Sequence, residues 1–268
     1  MRGVELHWVE WGDRTGPPVV LLHGITGHAR TWDAEARALA VRWRVLALDQ
    51  RGHGDSGPAP DGDYSNTALA ADLGALVETL GLARPRLVGL SMGGRVAIEY
   101  AGTHPDSVAR LVVVDIGPAI APAGMSRVGQ AMAGAPERFA SIDEVVAWIR
   151  AGNPRYREDL LHHRAAHAVR PLPDGGYGWK YDRALREAAR QGHPRPVADL
   201  WPLWKSIACP TLLVRGAESD ILSPEIAARM VETQPRARLA VVPGAGHTVP
   251  GDQPEAFLGL LTGFLDEG

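Results

Sequence analysis

A serine with glycine two residues away on each side, Gly89-Leu90-Ser91-Met92-Gly93, is the part of this chain best suited to chemistry. The run Arg86-Leu87-Val88-Gly89-Leu90 reads as a buried strand, and Gly94 to Ala101 reads as a helix. A strand that turns this sharply into a helix crowds the serine's backbone, so the residues two before and two after must be small. The hydroxyl then stands clear of the sheet, and the helix aims its N–H groups and positive dipole end at the same place. A serine hydroxyl is a weak nucleophile until a base takes its proton. His247 is the base the pattern offers, in the loop Pro243-Gly244-Ala245-Gly246-His247 after an apolar run at 238–242. An acid must stand behind it, and three compete: Asp220, Glu218 and Asp115. Asp220 is the expected one. Its loop lies between the strand Pro210 to Val214 and a helix opened by Ser223-Pro224-Glu225, with serine as N-cap and proline at the first helical position. The chain after Asp115, by contrast, leaves directly into a long irregular segment. Upstream, Val19-Val20-Leu21-Leu22 runs into His23-Gly24-Ile25-Thr26-Gly27. Such a glycine-rich turn lets backbone donors face a site. The N–H groups of Ile25 and Met92 are the expected oxyanion hole, at about 3 kcal/mol per donor.

Serine, acid and histidine occur in the order of the α/β-hydrolases. With His23-Gly24-Ile25-Thr26-Gly27, Asp49-Gln50-Arg51-Gly52-His53-Gly54-Asp55-Ser56, Gly89 to Gly94, Gly216 to Asp220 and Gly246-His247, the chain resembles that superfamily. It is similar to its branch of single-domain esterases, lactonases, carbon–carbon bond hydrolases and cofactor-free haloperoxidases. Serine at position 91 departs from the aspartate of haloalkane dehalogenases and epoxide hydrolases. The resemblance covers nearly the whole chain outside residues 118–205. The fold it implies is α/β: a mostly parallel twisted sheet of about eight strands, helices on both faces, and an inserted helical cap. Residues 1–117 and 206–268 would form the core and 118–205 the cap.

The periodicities agree with that division. Valine- and leucine-rich runs at 19–23, 45–49, 86–90, 111–115, 210–214 and 238–242 suit strands covered on both faces. Residues 3–12 alternate, as in an edge strand. Leu69, Leu73, Leu76, Val77 and Leu80 form one helix face, as do Phe257, Leu260, Leu261, Phe264 and Leu265. Residues 118–205 break the alternation with many prolines and glycines, and with helical stretches at 141–150 and 182–190. An insertion this long is usually functional. In the related families it roofs the site. Trp148, Trp179 and Trp204, with Thr26, are the expected substrate contacts.

Composition narrows the function further. The formal net charge is −3, which offers no basic footprint for nucleic acid. The single cysteine, Cys209, excludes an intramolecular disulfide, and the first residues lack the apolar stretch of a signal peptide. No run reaches transmembrane length. The expectation is a cytoplasmic protein acting on a small-molecule ester, without nucleic acid or membrane partners, its oligomeric state left open. His163 and His167 are spaced like metal ligands, with His162 beside them, but no acid of an H-E-x-x-H pattern lies between. No metal and no cofactor are expected. The leading expectation is a serine esterase working through an acyl-enzyme. Lactone, carbon–carbon bond or peroxide chemistry on the same residues is the alternative. A ligand receptor on a hydrolase scaffold is the alternative of another class.

Overall fold

The computed structural model describes residues 3–192 and 198–267. In chain order the core begins with β1 (His7–Trp11), β2 (Pro18–Leu22), α1 (Asp33–Leu39), β3 (Arg44–Asp49), α2 (Asn66–Thr79), β4 (Arg86–Leu90), α3 (Met92–Thr103) and β5 (Arg110–Val114). Between β5 and the next core strand come α4 (Pro122–Gly134), α5 (Ile142–Gly152), α6 (Glu158–Ala168), β6 (Val169–Pro171), β7 (Tyr177–Trp179), α7 (Arg183–Arg190) and α8 (Trp201–Ser206). The core closes with β8 (Thr211–Gly216), α9 (Pro224–Thr233), β9 (Ala237–Val242), α10 (Val249–Asp252) and α11 (Pro254–Asp266).

Seven strands form one sheet in the order β1-β3-β2-β4-β5-β8-β9, one fewer than the eight or so expected. Only β1 runs antiparallel to its neighbour. Successive residues of a strand point to opposite faces, and here both faces are buried. Val20 and Leu22 of β2 join the cluster beneath α2, α3, α8 and α9, while Val19 and Leu21 join the one beneath α1 and α11. This double burial is why the strands read as continuous apolar runs. β6 and β7 form a separate two-stranded ribbon within the inserted segment, which the weak strand signals there did not announce.

The inserted segment has its own apolar cluster, in which Val145 and Ile149 of α5 meet Leu161 and Ala165 of α6, together with Trp179 and Leu185. Ser141 and Asp182 cap α5 and α7 where the sequence places helix starts. Arg95 of α3 holds both ends of the segment, donating to the carbonyls of Gly117 and Pro118 at its start and of Ala198 near its end. α8 belongs elsewhere. Trp204 is fully buried in the cluster on the sheet face, and its indole N–H donates to the Met230 carbonyl of α9 at 2.9 Å. Trp204, expected as a substrate contact, is therefore a core residue.

Candidate active site

The parallel strands end on one edge, and the Gly24 turn, Ser91, Asp115, Asp220 and His247 each lie in a segment that follows such an end. Ser91 follows β4 and has φ 53°, the left-handed region that costs a non-glycine residue about 1–2 kcal/mol. The elbow explains its glycines. A Cβ on Gly89 would lie 2.3 Å from the Gly93 carbonyl oxygen, and one on Gly93 would lie 2.3 Å from that of Leu22. Any side chain at either position would collide with backbone.

His247 lies in the loop between β9 and α10. Its Nε2 is 2.9 Å from the Ser91 hydroxyl, and its Nδ1 is 2.9 Å from a carboxylate oxygen. That carboxylate belongs to Asp115, not to Asp220. A carboxylate can only accept, so Nδ1 carries the proton and Nε2 is left to accept from serine. Asp115 is fully buried. Its other oxygen accepts the Gly216 N–H at 2.9 Å, and the Ser219 hydroxyl donates to the oxygen shared with His247. The Ser219 oxygen in turn accepts the N–H groups of Ile221 and Leu222.

The expected acid, Asp220, faces the inserted segment instead. Arg127 of α4 grips it with two hydrogen bonds, at 2.6 and 2.8 Å, and holds its carboxyl below the usual range. Glu218, two residues earlier, pairs with Arg155. The register gives the reason. Leu90 of β4 pairs with Val114 of β5, so Ser91 and Asp115 leave adjacent strands at the same level. Asp220 is four residues beyond the end of β8, where Arg127 holds it, and Ser219, one residue earlier, is the one that meets Asp115. The sequence held a usable signal: Asp115 interrupts an apolar stretch, Leu111-Val112-Val113-Val114-Asp115-Ile116, and a buried charge needs partners.

The glycine-rich turn after β2 comes close to the serine. A Cβ on Gly24 would lie 3.2 Å from that of Ser91. The N–H of Ile25 has no hydrogen-bond partner among the described residues, and Met92 is the first residue of α3. His23 fixes the turn. Its Nδ1 donates to the Gly24 carbonyl at 2.8 Å, its Nε2 accepts the Gln50 N–H at 3.1 Å, and burial pushes its pKa down to about 4. His23 is thus neutral in the tautomer its partners require. Asp49 braces the same region by accepting the N–H groups of Ala29 and Asp55.

A cavity of about 360 Å³ opens above Ser91 and His247. Thr26, Trp148 and Trp179 line it, with Ile25, Met132 and Tyr181. Trp179 is anchored by donating to the Pro136 carbonyl. Trp204 does not reach this cavity. Of the three histidines of α6, His162 is exposed and stands apart, while the His163 and His167 rings lie 4.5 Å apart, with His163 facing Asp33 at 3.1 Å and the His167 ring bonding to the His163 carbonyl. Among the described residues, one cluster, His7, Asp49 and Asp55, has the spacing of metal ligands. Its carboxylates are already engaged: those backbone donors and His7 occupy Asp49, and Lys180 holds Asp55. No helix among the described residues is long and apolar enough to cross a membrane.

A parallel sheet with a serine elbow and a histidine on its carboxyl edge defines a class of hydrolases. The chain belongs to the alpha/beta hydrolase fold family, whose model matches residues 17–254. It is 30% identical to 2-(acetamidomethylene)succinate hydrolase of Mesorhizobium japonicum over 94% of this chain and 89% of that one. It is 33% identical to 3-hydroxybutyrate-oligomer hydrolase of Cupriavidus necator over 89% of this chain and 85% of that one. The crystal structure of E-2-(acetamidomethylene)succinate hydrolase superposes with a TM-score of 0.91 at 30% identity, covering 99% of this chain and 97% of the other.

Proposed function

We propose that this hydrolase cleaves carboxylic esters of small or medium size through an acyl-enzyme on Ser91. The carrying observation is the unbroken line from the Ser91 hydroxyl through both nitrogens of His247 to buried Asp115, beside the cavity. Ser91 attacks the ester carbonyl while His247 Nε2 takes its proton. Asp115, in the role first expected of Asp220, stabilises the imidazolium and keeps the ring oriented. The Ile25 and Met92 N–H groups receive the oxyanion. His247 returns its proton to the leaving alcohol, then activates a water that frees the acid and Ser91. No step calls for a cofactor.

The segment from residue 118 to the start of α8 acts as a cap, with Trp148 and Trp179 shaping the wall against which the acyl or alcohol group rests. The printed names of the two relatives, a succinate derivative's hydrolase and a hydroxybutyrate oligomer's hydrolase, are in keeping with small carboxylic substrates. Intact-mass analysis after a fluorophosphonate probe should show one adduct, on Ser91. Turnover of p-nitrophenyl esters should disappear in Ser91→Ala at unchanged circular dichroism. An unlabelled Ser91 together with inertness across aryl, alkyl and cyclic esters would overturn the proposal.

A further inference from the structure

The reactive cavity has a neighbour. A second space of about 260 Å³ shares Thr31, Leu90, Thr248 and Arg164 with it, and Asp33 and Glu35 of α1 line its far side. Arg164, in the middle of α6, therefore stands on the boundary between the two.

The other arginines in these walls are committed. Arg127 is held by Asp220, while Arg30 and Arg37 approach Asp33 at 3.6 and 3.3 Å. Among the described residues, the Arg164 guanidinium has neither a hydrogen bond nor a carboxylate. Its contact is the face of the Tyr156 ring, 5.0 Å from the ring centre. That stacking supports the cation while leaving its edge donors directed elsewhere. The backbone beneath it is fixed, because the Arg164 carbonyl accepts His28 Nε2 at 3.2 Å and so ties α6 to the loop that carries Ile25. Its positive field reaches that loop: beside the larger effect of burial, it helps lower the pKa of both His23 and His28.

A half-buried guanidinium with unused, forked donors beside a nucleophile is suited to a planar anion. One guanidinium carries a single positive charge, so a singly charged carboxylate is its match in both charge and shape. We propose that Arg164 binds a carboxylate of the substrate, so that the preferred substrates are esters whose acyl or alcohol part ends in a free carboxylate. This rests on the esterase reading and adds its selectivity.

The test uses monoaryl esters of succinic, glutaric and adipic acid, each beside its neutral counterpart with the second carboxylate methylated. For at least one chain length the wild type should favour the anionic ester by about tenfold or more in kcat/KM. In Arg164→Gln that ratio should fall about tenfold, mostly through KM. Arg164→Lys should recover part of it, having charge without the fork. A variant that merely loosens the fold would lower both rates and leave the ratio standing. A wild-type ratio near one, or a ratio unchanged in Arg164→Gln, overturns the proposal. Should no ester turn over, the esterase reading fails separately. Arg164 is then judged by binding: titration calorimetry with glutarate should show binding to the wild type weakened about tenfold in Arg164→Gln, and equal binding or none overturns the assignment.

Discussion

A carboxylate helps a histidine only if it stays charged and does not move. Asp115 is held still by two further donors, Gly216 N–H and Ser219 Oγ–H, that fill its oxygens where no water reaches. Asp115→Asn would present an amide that can favour the wrong imidazole tautomer and cannot offset its charge, so kcat should fall by about 10³–10⁴. Asp220→Asn, which breaks an ion pair with partly exposed Arg127, should cost less than about tenfold. Both are read from ester turnover at saturating substrate; a silent Asp115→Asn would refute the relay. Ser219→Ala removes one charged hydrogen bond from Asp115, and an intermediate loss of about tenfold in kcat is expected with KM little changed.

The elements place these residues by geometry that permits little substitution. The elbow between β4 and α3 closes only because Gly89 and Gly93 lack side chains. Gly93→Ala should destabilise the chain by about 2 kcal/mol or more in urea unfolding, while Gly259→Ala on α11, with nothing within 4 Å of its added methyl, should not destabilise it. The same geometry shows what could be read in advance. Ser91, His247 and the turn at Gly24 carry local signatures, because tight turns and apolar strands leave their demands in the residues themselves. The acid carries no such signature. Which carboxylate reaches His247 depends on the pairing of β4 with β5, about 24 residues on, and of β5 with β8, about a hundred residues on. Trp204 misled for a similar reason: an aromatic cluster in sequence does not say which helix returns to the sheet. Whether a residue lines the cavity, as Trp148 does, or fills the core is decided by packing between distant segments.

Across the whole molecule, two buried groups make stability depend on pH in opposite senses. Burial, aided by nearby Asp33, pushes Glu35 up to about 7 from its ordinary 4.5. The folded chain therefore holds this proton when the unfolded one has released it. The resulting stability is full below about 4.5 and is lost as pH rises towards 7. Glu35→Gln, which keeps the shape without the charge, should stabilise the fold by on the order of 2–3 kcal/mol above pH 7 and flatten this slope. His23 acts the other way. Its folded value is about 4 against an ordinary 6.5, so its stability is present above 6.5 and is lost as pH falls towards 4. Urea melts from pH 4 to 8 on the wild type and Glu35→Gln separate the two: the variant's gain should grow from about pH 4.5 to 7 and then level off. A gain independent of pH would remove Glu35 as its source.

Placing the relay's carboxylate on β5 leaves the two on the following loop with different work: Glu218 and Asp220 each clasp an arginine of the inserted segment, Arg155 and Arg127. For anyone exchanging that segment between relatives to change what the enzyme accepts, these pairs act as a matching rule. A donor insert with cations at both places would seat on this core with its charges answered. One without them would leave these two carboxylates unanswered where the insert meets the core, and the chimera would dock better with them replaced as well.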